Sequence, residues 1–555
     1  MPGSISGADA IAAGVLESGV SLVTGYPGSP ATKVVDAIQA SDSRDQVKVI
    51  WNANEKTAVE MAFGTSLAGS RSLLCVKSVG FNITLDPLMT INLADCNAGF
   101  VILVGDDPGG WSSQNEQDSR AVALATGLPI LEPVTVHEAH DMIPYAYHLS
   151  EEIKLPVIVR VTKPLIYSKA SWDNSKGATT DQVHPKRAGK MKIDGYDQDW
   201  INTVILPVNV VKNHQQLQQK LEIIQTRFER SPFNSVEGAG RKGVLVSGYV
   251  YQKLLDMLKG ELPPQLRVAR LSTFYPLPEK LIKNFLLSVD AVLIIEEGEP
   301  LLENALTAFA KRSGLTLPIF GRHTKDIPLA GELEPSDLAN ALSLLLPDFI
   351  KSAQPKTNRA MPSKQFYPPN CPYIPIFDTL LKVVAELGPR QDTIIVGDPG
   401  CMVRGQNHYN LLDIKTSLGA SIGIAAGIAI DLARRNEPKR VLALSGDSGF
   451  FHSNFQGLMD AVQIGAQALI LVLDNNITAL SGGQPHPGTR RRDPYDLQTP
   501  IEIGGLATQA GVKMVKIVDI DQNEDLRPAI LAGLETAGVS LIIARGECPD
   551  CPESK

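Results

Sequence analysis

Short, almost unbroken apolar runs recur along this chain, each ending near Gly, Pro, Asn or Asp. Val20 to Thr24, Val47 to Trp51, Arg71 to Val76, Phe100 to Val104 and Pro156 to Val161 form a first group. Gly243 to Ser247, Ala291 to Glu296 and Leu317 to Phe320 form a second, and Val441 to Leu444 with Ala468 to Leu473 a third. Runs this short, without polar alternation, predict strands of parallel sheets covered on both faces. Helical patterns lie between them, such as the polar-faced Gln215 to Arg230. Alternating β and α throughout predicts an α/β protein of three doubly wound domains.

Two polar stretches interrupt the pattern. Ser168 to Asp199 is dominated by Lys, Asp, Gly and Ser; the later stretch carries Pro355, Pro362, Pro368, Pro369, Pro372 and Pro375. Such composition reads as linker. The expected division is 1–170, a linker at 171–200, 201–350, a linker at 351–375, and 376–555.

Composition narrows the class. The chain has 555 residues, 43% hydrophobic and 20% charged, which is ordinary for a globular protein. A net charge of −8 leaves no basic footprint for nucleic acid. No apolar run approaches the roughly 18–20 residues of a membrane span, and no basic-then-apolar leader opens the chain. Six scattered cysteines do not form a disulfide framework, so a cytoplasmic, reducing environment is expected.

The densest chemistry lies between Ala443 and Gly488. One strand runs into Gly446-Asp447-Ser448-Gly449, and the next into Asp474-Asn475-Asn476. Asp447 and Asn475 are 28 residues apart, enough chain for one βαβ crossover, which sets both at the carboxyl edge of a parallel sheet. Carboxylate and amide oxygens, with glycines that let the backbone approach, suit a Mg²⁺ that already holds a diphosphate. Asp447 and Asn475 are the expected ligands, with the backbone carbonyl of Ile477 a third; Ser481 and Gly482 lie just beyond. The segment resembles the thiamine diphosphate motif, whose family pattern is Gly-Asp-Gly followed by an Asn pair.

That cofactor also needs an acid at its aminopyrimidine ring. Glu55, in Asn54-Glu55-Lys56, follows a strand and opens a helix, with Gly64 further on. This resembles the activating glutamate of thiamine diphosphate enzymes; the alternative is a first-turn Glu stabilised by the helix dipole. Glu60 is expected to pack or face solvent.

A wider set of motifs points to one family. Thr24-Gly25-Tyr26-Pro27-Gly28-Ser29-Pro30, Asp86-Pro87-Leu88-Met89-Thr90, Asp106-Asp107-Pro108-Gly109 and Ser112 to Arg120 carry it, with Glu296-Glu297-Gly298-Glu299-Pro300 and Gln484-Pro485-His486-Pro487-Gly488. Together they resemble the α subunit of indolepyruvate ferredoxin oxidoreductase, a branch of the 2-oxoacid ferredoxin oxidoreductases. The resemblance implies a pyrimidine-binding domain, a transketolase-C-like domain and a diphosphate-binding domain. It also implies a 2-oxo acid substrate (aryl or bulky), at least a homodimer, and a β-type partner subunit. Within it, Tyr26 and Ser29 lie in a loop that either contacts a substrate carboxylate or the cofactor, or is a rigid turn. Arg120 is a candidate for binding a carboxylate bidentately, its alternative being a helix-surface arginine. His486, and less so His452, are candidate proton shuttles.

The sequence also departs from that family. The family carries a C-terminal extension for two 4Fe–4S clusters, whereas this chain reads Cys548-Pro549-Asp550-Cys551 before Lys555. The family's Cys-Pro-Gly-Cys-Pro-His-Arg is here Cys371-Pro372-Tyr373-Ile374-Pro375-Ile376-Phe377, and its Lys-His-Val-Gly is Lys77-Ser78-Val79-Gly80. Cys401, in Gly400-Cys401-Met402, still resembles a family cysteine and is placed with the cofactor residues. A cluster usually needs four thiolates, so ordinary thiols are expected rather than a cluster built from Cys371, Cys401, Cys548 and Cys551. Without a route for electrons, non-oxidative decarboxylation or carboligation is the expected outcome, and a subunit borrowing clusters from a partner is the alternative. A non-catalytic thiamine-diphosphate-fold protein is a further class. A nicotinamide enzyme is disfavoured, because no Gly-x-Gly-x-x-Gly opens a helix with an acidic residue about 20 positions on.

Overall fold

The computed structural model describes residues 3–41, 46–172, 204–347, 366–490, 499–522 and 524–549. Most of both expected linkers, 173–200 and 351–365, lies outside them. Contacts divide the chain into two compact units: Met1–Ile50 with Glu55–Met361, and Trp51–Asn54 with Pro362–Lys555.

The strands of the first unit, in chain order, are β1 (Gly3–Ser6), β2 (Leu22–Gly25), β3 (Lys48–Trp51), β4 (Ser72–Lys77), β5 (Phe100–Asp106), β6 (Ile130–Leu131), β7 (Val157–Thr162) and β8 (Lys169–Trp172). They continue with β9 (Ser235–Glu237), β10 (Lys242–Ser247), β11 (Leu266–Leu271), β12 (Thr273–Tyr275), β13 (Ala291–Ile295) and β14 (Ile319–Phe320). A seven-stranded sheet has the order β12-β6-β7-β5-β4-β2-β3, and a five-stranded sheet the order β14-β13-β10-β11-β9. Every residue of β4, β5 and β7 is buried, as apolar runs without alternation require when helices cover both faces.

Two pairings cross the expected boundaries. β12 joins β6 antiparallel, Thr273 opposite Leu131, so the first sheet takes a strand from beyond residue 201. β8 pairs antiparallel with β1 and includes Ser171 and Trp172, the first two residues assigned to the linker. The helix Tyr373–Glu386 likewise begins inside the second linker.

The second unit holds β15 (Thr393–Gly397), β16 (Ile414–Lys415), β17 (Arg440–Gly446), β18 (Ala468–Asp474), β19 (Met514–Asp519) and β20 (Val539–Arg545). Its parallel sheet has the order β16-β15-β17-β18-β20-β19. One core cluster gathers Phe377, Leu380, Leu442, Leu471 and Ile542; another gathers Ile422, Phe450, Leu458, Ile470 and Leu541. Alternate residues of β17 and β18 thus feed opposite faces, as the pleat demands. Among the described residues the protein is α/β, on three mainly parallel sheets and the small antiparallel pair β1-β8; three modules with the boundaries given above remain a proposal. Among the described residues, no helix is long and apolar enough to cross a membrane.

Candidate active site

In the seven-stranded sheet the chain passes from β2 to β3 on one side, then crosses back to β4 on the other. That reversal opens a crevice beyond the carboxyl ends of β2 and β4, where α/β sheets bind ligands. The loops there carry Tyr26 to Ser29 after β2, and Lys77 at the end of β4. Glu55 opens the helix Glu55–Leu67 after β3 and is 5% exposed. A Cβ on Gly80 would fall on Glu55 Oε1, far inside van der Waals contact, so the glycine is what leaves room for the carboxyl. Glu60 is exposed and paired with Lys56, as expected. Gly64 faces open space, and no packing demand explains it.

Tyr26 is buried and Ser29 half-buried, its Oγ 3.4 Å from the Tyr167 hydroxyl. The Ser112 hydroxyl donates to the Ser29 carbonyl at 3.4 Å. Asp107 organises that neighbourhood: its Oδ2 accepts from Ser112 N (2.6 Å), Ser112 Oγ (3.0 Å) and Ser113 Oγ (2.9 Å). Asp107 and Lys77 stand out in the sequence only as parts of motifs. Lys77 ends one fully buried strand and Asp107 follows another, and a charge at a buried strand end was the signal available.

Arg120 is corrected. Its side chain is fully buried, so it is neither a surface arginine nor open to a substrate. Nε and Nη2 bind Asp118 at 2.6–3.0 Å, Nη2 also donates to the carbonyls of Glu297 (2.7 Å) and Glu299 (3.2 Å), and Nη1 lies 3.1 Å from Glu296. That last contact is off the line of a hydrogen bond, so it is ionic only. Arg160 joins the same network through Asp106 (2.7 Å) and Glu132, and Ser247 donates to Glu132 at 2.6 Å. Burial alone would raise the Asp118 carboxyl, but Arg120 and then Arg160 outweigh it and hold it at about 2. Burial pushes Glu296 up to about 7 despite Arg120. The fork that suggested substrate binding is spent on carboxylates of its own chain.

In the second unit, the chain passes from β15 to β16 on one side, then to β17 on the other, so a second crevice lies between the ends of β15 and β17. Asp447 follows β17, and Asn475 follows the neighbouring β18. The Asp447 carboxylate ties these ends together: Oδ1 accepts Ser448 N (2.8 Å), and Oδ2 accepts Asn475 N (3.0 Å) and Asn476 N (2.7 Å). Asn476 takes the left-handed conformation (φ 70°), and Asn475 Oδ1 accepts Ile477 N at 3.3 Å. Thr478 Oγ1 donates to Ser448 Oγ at 3.0 Å. A Cβ on Gly446 would meet nothing within 4 Å, so the strand end gives onto open space. An Asp carboxylate, an Asn amide and a backbone carbonyl are hard oxygens of the kind that suits Mg²⁺ on a diphosphate. Further along, Ser481 is half-buried and Gly482 exposed, at a turn with φ 123°.

His486 is 4% exposed and stacked on Phe451, with ring centroids 5.6 Å apart. Gly488 N donates to its Nδ1 at 3.1 Å, which leaves the proton on Nε2. Nε2 faces Asp447 Oδ2 at 3.1 Å, off the line of a hydrogen bond. The ring thus lies buried beside Asp447, and a proton-shuttle role for it stays a proposal. His452 is also buried, its Nδ1 2.7 Å from Ser453 Oγ. Asp398, after β15, was not singled out from sequence. It accepts from Ala420 N and Ser421 N, and burial pushes it up to about 6.

Cys371, Cys401 and Cys548 converge on one cavity with Asn475, although the chain separates them widely. Burial raises the Cys401 thiol to about 12, helped by Cys548 and Cys371. The cavity holds about 30 Å³, roughly one water. Its wall has three described thiols, Ile374 stands where the expected motif has a fourth, and Cys551 lies outside the described residues. Among the described residues three thiols line this wall, one fewer than the four a cluster usually takes.

Residues 398–544 match the family "Thiamine pyrophosphate enzyme, C-terminal TPP binding domain", and residues 13–245 match "Pyruvate flavodoxin/ferredoxin oxidoreductase, thiamine diP-bdg". The indolepyruvate oxidoreductase subunit IorA of Pyrococcus abyssi is 32% identical over 98% of this chain and 85% of its own length. IorA of Thermococcus kodakarensis is 32% identical with the same coverage. Among solved structures, a 2-oxoglutarate:ferredoxin oxidoreductase from Magnetococcus marinus covers 64% of this chain and 65% of its own, at 15% identity and TM-score 0.47. The chain belongs to the thiamine-diphosphate-dependent 2-oxoacid oxidoreductase family, with the IorA subunits of indolepyruvate oxidoreductase.

Proposed function

We propose that this protein cleaves the C1–C2 bond of a bulky or aryl 2-oxo acid with thiamine diphosphate and Mg²⁺, and that the outcome is decarboxylation or carboligation without net oxidation. Thiamine diphosphate, when bound, supplies the carbon nucleophile and electron sink for breaking a bond beside a carbonyl. Asp447, Asn475 and the Ile477 carbonyl hold the Mg²⁺. Gly446, Ser448, Gly449, Ser481 and Gly482 line the diphosphate, with Cys401 near Asn475 and His486 bracing Asp447. Glu55 holds a proton at N1′ of the pyrimidine ring, and the Tyr26–Ser29 loop lies on the substrate side. The observation that supports the non-oxidative outcome is Ile374, which stands where the family motif has a cysteine, beside a wall of three described thiols.

The second reading is an oxidoreductase subunit that passes electrons to clusters of a partner. The convergence of those same thiols beside Asn475, and the relatives named as oxidoreductase subunits, favour it. One experiment separates the two. Protein purified without oxygen and loaded with thiamine diphosphate and Mg²⁺ is incubated with a panel of 2-oxo acids, with and without coenzyme A and viologen, and its iron is measured. Aldehyde or ligation products without viologen reduction are expected. Stoichiometric iron with viologen reduction would establish the oxidoreductase.

The metal site has its own test. Asp447→Asn keeps the shape but removes the charge, and sets an amide where two backbone N–H groups point. Titration calorimetry should show Mg²⁺–thiamine diphosphate binding weakened by about 10- to 100-fold or more. Unchanged affinity would remove Asp447 from the ligand set.

A further inference from the structure

Lys77 is a buried cation that the reading above leaves without a task. It ends β4, beside β2, at the crevice of the seven-stranded sheet, and is 9% exposed. Its stem lies across Gly28: a Cβ there would meet Cδ at 2.6 Å and Cγ at 2.8 Å. A glycine in the loop after β2 therefore lets the lysine run along that backbone. The ammonium donates to the carbonyl of Ser112 at 3.0 Å, and Ser112 in turn donates to the carbonyl of Ser29. Lysine, the Tyr26–Ser29 loop and the 107–113 loop are thus stitched together.

An ammonium has three donors, and one is used here. The charged groups that face it are Asp107, Glu55 and Lys163. Among the described residues no carboxylate forms an ion pair with it, and the Asp107 Oδ2 is taken up by Ser112 and Ser113. Burial is the largest influence and lowers the ammonium to about 8; Asp107 and Glu55 oppose this, and Lys163 adds to it. A cation buried without a close counter-ion is costly, and an anion that entered the crevice would relieve that cost. On the proposed function, on which this inference rests, the diphosphate is held by the metal ligands of the second unit. The anionic group left to be bound is the carboxylate of the 2-oxo acid.

We propose that Lys77 is the counter-ion that binds the substrate carboxylate, at the edge of the loop carrying Ser29, and so selects 2-oxo acids over uncharged carbonyl compounds.

The test uses phenylpyruvate as substrate, and its methyl ester as a neutral competitor, on the full chain loaded with thiamine diphosphate and Mg²⁺. Lys77→Gln is expected to raise KM by roughly 30-fold or more, to leave kcat within about threefold, and to leave inhibition by the ester and cofactor affinity unchanged. In the wild type, kcat/KM should hold below pH 8 and decline above it as the ammonium loses its proton. Lys77→Arg should restore KM and abolish that decline, because a guanidinium stays charged. An unchanged KM in Lys77→Gln with cofactor bound normally overturns the proposal, as does equal weakening of ester and acid. If the wild type binds thiamine diphosphate but turns over no 2-oxo acid, the proposed function fails instead. Calorimetric binding of phenylpyruvate to wild type and Lys77→Gln then decides the role of the lysine by itself.

Discussion

Glu55→Gln is expected to lower turnover of 2-oxo acids by ~10³ while leaving cofactor affinity within about threefold. Glutamine fills the same space at the start of the helix Glu55–Leu67 but cannot hold and release a proton at the pyrimidine ring. Its effect should therefore fall on kcat and hardly on binding, which rapid-quench kinetics and calorimetry report separately. Gly80→Ala tests the same residue without changing its chemistry. The added methyl would lie 2.3 Å from Oε1, so the carboxyl must turn away and activity should fall with Glu55 still present. Full turnover in Glu55→Gln would exclude the proposed activation by this carboxyl.

Arg120→Met is expected to unfold the first unit more easily, by about 3–5 kcal/mol, because Glu296 would lose its cation and Asp118 and Glu132 would keep only Arg160 while buried. The quantity to measure is the urea midpoint of that unit, followed apart from the second, since a chain with two units need not unfold in one step. Lysine should rescue only partly: one ammonium cannot reproduce the paired contacts to Asp118 and the carbonyls of Glu297 and Glu299. The pH dependence has a definite sign. Because Asp118 is held at about 2 in the folded chain, below its ordinary 3.8, its contribution is present above about pH 4 and is lost as the pH falls towards 2. Arg120→Met should flatten the stability profile in that window. If the variant folds as firmly as the wild type but loses activity, Arg120 would return to the substrate.

The strands were legible because a buried parallel strand must be apolar on both faces; Phe100 to Val104 and Ala468 to Leu473 each reappear within an observed strand. What was not visible was pairing between distant segments. β12 joins the first sheet from beyond residue 201, and nothing in Thr273-Phe274-Tyr275 names Leu131 as its neighbour. In the candidate site, Asp447 and Asn475 were readable because one crossover fixes both strand ends on the same edge. Arg120 was misread because its motif sits in a loop-to-helix segment, while its partners Glu132, Glu296 and Glu297 come from elsewhere in the chain.

The sequence by itself determined the α/β alternation, the placing of Asp447 and Asn475 at strand ends and the glutamate that opens a helix, since local period and short-range spacing specify those features. Tertiary structure alone decided that Arg120 is a buried brace, that His486 backs Asp447, that Lys77 lies over Gly28 beside the Ser29 loop, and that three cysteines meet at Asn475. Each of these rests on contacts between residues far apart in the chain. Burial and charge compensation are properties of such contacts, and folding settles them.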